Sequence, residues 1–192
     1  HGTLTNLGDG SFTYMPNAGF SGTDSFIYEI WDSVSLGDTA TVTITVEPVN
    51  NPPDCSGAEP SIDTIWPPDH KFVSIEVLGV TDPDGDEVTI TIDSIYQDEP
   101  VDTWGDGNFT PDGRGVRSST AQVRAERAGA KKDLEDDRLL GNGRVYHILF
   151  TANDGPGGAC SGTVRVGVPV DQGKREAPVD DGPLYDSTAL AP

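Results

Sequence analysis

YEIWDSVSLGDTATVTITV (28–46) and FTANDGPGGACSGTVRVGV (150–168) are written on one template. In the first copy Tyr28 leads to Asp32 and then to a ladder, Thr41–Val46, in which threonine alternates with valine and isoleucine. In the second, Phe150 leads to Asp154 and then to Thr163–Val168. The offset between the copies is constant (150 − 28 and 164 − 42 both give 122), so aromatic, acid and valine ladder stay in step. Strict alternation marks half-buried β-strands. Two matching strand–loop–strand units in one chain imply tandem copies of one all-β domain.

The rest of the chain follows the same grammar. Phe26, Tyr28 and Ile30 alternate with Ser25, Ile27 and Glu29, and Thr3–Leu7 and Ser11–Tyr14 flank the turn Gly8-Asp9-Gly10. The pattern breaks at Val49-Asn50-Asn51-Pro52-Pro53-Asp54, because consecutive prolines cannot donate to a ladder. Beyond that boundary, Phe72–Val80, Val88–Ile95, Thr120–Glu126, Arg144–Ala152 and Thr163–Val170 read as strands. Ala128–Leu140 reads either as a short charged helical turn or as a solvated loop. The expected layout is a partial repeat over 1–48, a linker over 49–54, a second domain over 55–170 and a loosely ordered tail over 171–192.

Composition agrees. Hydrophobic residues make up 34%, with one Met, 23 Gly and 15 Pro, a profile poor in helix formers and rich in turn residues. The formal charge of −20 argues against nucleic acid and anionic membrane surfaces, which need a basic footprint. Such self-repulsion costs stability unless cations neutralise it. No apolar run is long enough to span a bilayer as a helix.

Cys55 and Cys160 are too far apart in sequence for a CxxC metal or redox motif. Two readings stand: a disulfide tying the ends of the second domain together, or a pair of buried thiols. The first fits a secreted protein.

Asp82-Pro83-Asp84-Gly85-Asp86 is the foremost metal candidate, since alternating Asp on a Gly turn can aim several carboxylates at one Ca²⁺. The other reading is a solvated Asp/Gly turn. Asp98, Glu99, Asp102, Asp106 and Asp112 form a second acidic group. Either a cation orders it, or Arg114, Arg117, Arg124 and Arg127 do so through ion pairs, or it is simply solvated. Asp32 and Asp154 read first as turn initiators, with a ligand role as the other reading. Trp104, in a Gly/Asp loop, can either stack on a sugar ring or pack; Trp31 and Trp66 read as core-edge residues. His1, His70 and His147 lack zinc-ligand spacing, and no nucleophile motif is present, so no catalytic residue is assigned.

The stretches HGTLTNLGDGSFTYMPNAGFSGTDSFIYEIWD and TATVTITVEPVNNPPD, spanning about residues 1–53, resemble the immunoglobulin-like or cadherin-like repeats of large bacterial surface and RTX-type adhesins. In those repeats HGTL falls near the middle, so the resemblance implies a first sandwich lacking N-terminal strands and a chain that starts in mid-pattern. WPPDHK (66–71), GVTDPDGDEVTITI (79–92), QDEPVDTWGDGNFTPDG (97–113), GNGRVYHILFTANDG (141–155) and CSGTVRVGVPVDQG (160–173) resemble the C-terminal β-sandwich domain of secreted bacterial repeat proteins. AGAKKDLEDDRLL departs from it, where a shorter connection is usual.

Together these imply tandem immunoglobulin-like (cadherin-like) β-sandwiches from a secreted or cell-surface repeat protein, non-catalytic and stiffened by Ca²⁺ bound through DxDGD. The expected partners are neighbouring repeats or subunits, with surface glycans through Trp104 as a further option and no nucleic acid or membrane insertion. Two alternatives stand beside the spacer reading. One is a filament subunit completed by β-strand exchange, with the tail 171–192 as donor; the other is a carbohydrate-binding accessory module.

Overall fold

The computed structural model describes residues 1–102, 109–128, 131–132, 139–170 and 177–190. It is all-β, with no helix among the described residues. The chain divides into two compact units, His1–Asn50 and Asn51–Pro192.

The first unit is two β-ribbons. Strands β1 (Gly2–Asn6) and β2 (Phe12–Pro16) pair antiparallel across the Gly8–Gly10 turn, where Gly8 and Gly10 take positive φ. Strands β3 (Gly22–Trp31) and β4 (Gly37–Val46) form the longer hairpin. Aromatic contacts join the ribbons: Phe12 lies 5.3 Å from Phe26 and 6.4 Å from Tyr28, centroid to centroid. The Tyr14 hydroxyl donates to Asp24 at 2.6 Å. Residues of the inner face, such as Phe26, Tyr28, Val42 and Ile44, remain partly exposed.

The second unit is a sandwich of two four-stranded sheets. In chain order its strands are β5 (Glu59–Pro60), β6 (Phe72–Leu78), β7 (Thr89–Gln97), β8 (Gly113–Arg114) and β9 (Thr120–Arg124). They continue with β10 (Lys131–Lys132), β11 (Leu139–Leu140), β12 (Arg144–Asn153), β13 (Ala159–Val168) and β14 (Tyr185–Asp186). One sheet runs β13-β12-β7-β14 and the other β5-β6-β9-β8. Alternation fills the space between them: Ile75, Val77, Ala121 and Val123 face Ile92, Ile95, Ile148, Phe150, Val164 and Val166. Truncating a buried aromatic such as Phe150 to Ala would cost about 3–5 kcal/mol.

The β3–β4 and β12–β13 hairpins share one register. Phe26 faces Val42 as Ile148 faces Val164, and Tyr28 faces Ala40 as Phe150 faces Gly162. The shared acids close both loops. Asp32 Oδ1 accepts the N–H groups of Val34 and Leu36, and Asp154 Oδ1 those of Gly157 and Gly158. Both therefore act as turn initiators, holding donors that no ladder would satisfy.

Three features depart from expectation. Lys131–Lys132 pairs with Leu139–Leu140 as a short antiparallel ladder, neither the helical turn nor the loop anticipated there. The tail is ordered over 177–190: Tyr185 and Asp186 pair with Gln97 and Tyr96, and Ser187 is fully buried. Trp31 and Trp66 do not fill core edges, being 62% and 38% exposed. A bulge between Leu149 and Phe150 also shifts the pairing with β7, which lets Ile92 and Ile95, three apart, both face the core.

Candidate functional site

Two acidic clusters carry the chemistry of the second unit, and they differ in kind. The first is the loop after Thr81, whose backbone exchanges both hydrogen bonds with Asp54 at the start of the unit. Within it, Asp82 Oδ1 accepts the N–H of Asp84 at 2.8 Å and of Asp86 at 3.2 Å. Gly85 takes φ 85°, a left-handed conformation that only Gly adopts without cost. This fold brings one oxygen each from Asp82, Asp84 and Asp86 to within 4.8 Å of one another. Asp84 also receives the Asn51 backbone N–H at 2.6 Å and its side-chain amide at 3.0 Å. Asp82 Oδ2 is buried and accepts no hydrogen bond. A hard cation coordinated by oxygen would satisfy it, so the donor set fits Ca²⁺ or a similar ion.

The second cluster is interior. Arg144, at the head of β12, is fully buried. Its Nη1 lies 2.8 Å from Asp112 Oδ2 and 3.3 Å from Glu126 Oε1, and its Nε lies 3.3 Å from Glu99 Oε2. Gln97 Nε2 donates to Asp112 Oδ2 at 2.8 Å and the Ala128 N–H to Glu99 Oε2 at 2.6 Å. Arg124 closes the outer side. It donates to the carbonyls of His70 and Pro111, both at 2.9 Å, and stacks 4.3 Å above the Phe72 ring. His70, held at φ 62°, places Nδ1 3.2 Å from Glu126 Oε2. Burial, reinforced by the hydrogen bond to Asp112, pushes the Glu126 carboxyl up to about 9. Asp98 accepts the Val145 N–H at 2.8 Å, yet burial pushes it up to about 6.

The structure therefore separates the acids that the sequence grouped together. Glu99 and Asp112 meet guanidinium groups, as one of the sequence readings had it, while Asp98 meets backbone N–H groups. The central arginine is Arg144, which that reading did not name. Of the arginines it did name, Arg124 lies 3.9 Å from Asp112, Arg114 stacks 4.1 Å over Phe72, Arg117 bonds Ile92 through its backbone, and Arg127 donates to the Ala128 carbonyl. Asp102 is exposed at φ 62°. Trp104 and Asp106 lie outside the described residues. A signal for Arg144 was present, because it shares the inward parity of Tyr146, Ile148 and Phe150. Cys55 and Cys160 form a disulfide, with Cα atoms 5.9 Å apart, that joins the start of the unit to β13.

The second unit is a β-sandwich, and in the first unit residues 1–45 match the family described as Bacterial Ig domain. Among known proteins the chain is similar to Integrin beta-like protein E of Dictyostelium discoideum, 36% identical over 89 residues. That alignment covers 43% of this chain and 4% of the relative's length. No solved structure matches.

Proposed function

We propose that this chain is a non-catalytic extracellular module of adhesion type, part of a secreted or surface repeat protein and stiffened by Ca²⁺. The observation that carries the metal reading is the loop Asp82–Asp86: three convergent carboxylates, one of them with a buried oxygen that accepts nothing. Asp82, Asp84 and Asp86 would hold the ion. Because Asp84 also grips Asn51, ion binding would stiffen the start of the second unit. One oxygen each of Glu99 and Asp112 is engaged by guanidinium and amide groups, and although Glu99 Oε1 and Asp112 Oδ1 are buried without a hydrogen bond, the buried Arg144 already supplies the counter-charge, which favours a structural role for that cluster. A bacterial Ig-like segment, a disulfide suited to oxidising surroundings and a relative named as integrin-like all support the extracellular, adhesive reading.

Thermal melts in millimolar Ca²⁺ and in chelator test it. A ligand at a hundredfold excess over Kd stabilises the native state by about 2.7 kcal/mol, so a clear upward shift in Tm is expected with calcium. Equal midpoints in the two buffers would sink the metal assignment.

A further inference from the structure

All twelve Lys and Arg of this acidic chain lie between 71 and 175, and two of them meet aromatic rings on one outer sheet face of the second unit. On β6 the alternation that sends Ile75 and Val77 to the core turns Phe72 and Ser74 outward. On β9 it does the same for Gln122 and Arg124. The register sets Phe72 beside Arg124, Ser74 beside Gln122, and Arg114 of β8 on the far side of Gln122. The Arg114 guanidinium lies 4.1 Å from the Phe72 ring centre and that of Arg124 lies 4.3 Å from it. Arg124 is also 5.4 Å from the Phe109 ring. Rings and guanidinium groups thus alternate along a row from Phe109 through Arg124 and Phe72 to Arg114.

The two arginines are not equivalent. Arg124 is buried and its charge is met, since it donates to the carbonyls of His70 and Pro111 and lies 3.9 Å from Asp112 and 3.7 Å from Glu126. Arg114 is exposed, and among the described residues its side chain makes no hydrogen bond and no ion pair. Its N–H donors are free, while the ring of Phe72 holds the guanidinium in place. Phe109, 46% exposed, adds an open ring to the row, and Gln122 and Ser74 add polar groups 3.4 Å apart. The next outward residue on β6 after Ser74 is an acid, Glu76. An unpaired guanidinium calls for an anion, and an open ring takes the apolar face of a sugar. The neighbouring edge offers a peptide little, because β8 is two residues long and its Gly113 N–H already donates to Ser187.

We propose that this face binds a glycan whose terminal sugar carries a single carboxylate. Arg114 takes that carboxylate through two parallel hydrogen bonds, Phe109 lies against a sugar ring, and Gln122 and Ser74 meet hydroxyl groups. Charge sets the ligand class from both sides. Arg114 matches one carboxylate, and the formal −20 repels a polyanion, so the remaining sugars are neutral. The site gives the adhesive reading a ligand class and rests on that reading for its setting, but it does not depend on calcium.

The test titrates the whole chain with cellobiouronate, and with cellobiose as its neutral counterpart, followed by NMR in buffer stripped of divalent metal. Saturable binding of the acid alone is expected, with shifts centred on Arg114 and Phe109. Arg114→Gln should weaken it at least about tenfold, and Arg114→Lys, which keeps the charge and loses the two-point geometry, at least about fivefold. Phe109→Ala should weaken it about threefold or more. Both positions are exposed, and an unchanged Tm confirms that each variant folds. Arg117→Gln removes the same charge from another exposed arginine and should change nothing. Absence of saturation, equal binding of cellobiose, equal weakening by Arg117→Gln, or shifts centred elsewhere would overturn the proposal. Equally tight binding of the single-carboxylate peptide acetyl-Gly-Glu-Gly-amide would make the face an acidic-peptide site and likewise overturn it. Calcium melts read the metal loop separately, so either reading can fail alone.

Discussion

Arg144 Nη1 lies 2.8 Å from Asp112 Oδ2, with both side chains fully buried between the sheets of the second unit. Removing one partner of such a pair strands the other charge in the interior. Arg144→Ala should cost about 3–5 kcal/mol in urea unfolding of the second unit. Arg144→Leu combined with Glu99→Gln and Asp112→Asn should recover much of that loss, because the buried cation leaves together with two of its carboxylates and Arg124 keeps its carbonyl acceptors at His70 and Pro111.

Glu126 supplies a pH dependence with a definite sign. Its carboxyl is pushed from an ordinary value near 4.5 up to about 9, so the folded state holds a proton that the unfolded chain has released. Its contribution is full below the ordinary value and is lost as pH rises through the folded one. The second unit should melt at a higher temperature at pH 5 than at pH 9. Glu126→Gln should flatten that slope, and an unchanged slope would show that other groups set it.

The Cys55–Cys160 bridge closes a loop with a sequence separation of 105. On chain-entropy grounds, a loop of this order is worth up to about 4.7 kcal/mol. The double variant Cys55→Ser, Cys160→Ser should lose a stability of that order in the second unit, measured by denaturant titration under non-reducing conditions. The first unit should keep its midpoint.

Asp82→Asn separates metal binding from turn formation. The substituted side chain keeps an oxygen to accept the Asp84 and Asp86 N–H groups, so stability in chelator should change by no more than about 1 kcal/mol. The calcium-induced rise in Tm should disappear. Retention of the full rise would place the ion elsewhere.

Gly162 lies under the Phe150 ring, and an added Cβ would meet ring carbon at 2.7 Å. Gly162→Ala should destabilise the second unit by about 1–3 kcal/mol, read from its urea midpoint. The template position in the first unit already carries Ala40, opposite Tyr28, where the partly exposed face leaves the ring room to move.

Period-2 alternation in 28–46 and 150–168 was enough to read two hairpins in a common register, and Asp32 and Asp154 as their turn initiators. The DPDGD turn and the break at Pro52-Pro53 were legible as well. These features are decided within a few residues, by pleat, turn chemistry and the missing N–H of proline. The Cys55–Cys160 bridge was expected from the secreted character of the chain, although the approach of residues so far apart in sequence is a matter of tertiary structure. The partners of Glu99 and Asp112 were hidden. Arg144 stands 45 and 32 residues from them, and only the packing of β12 against β7 and β9 makes them neighbours. The ordered tail has the same origin: Tyr185–Asp186 is a strand because the free edge of β7 offers it hydrogen bonds. Local periodicity fixed what each segment is; long-range burial, which makes an unpaired polar group costly, decided what each one meets.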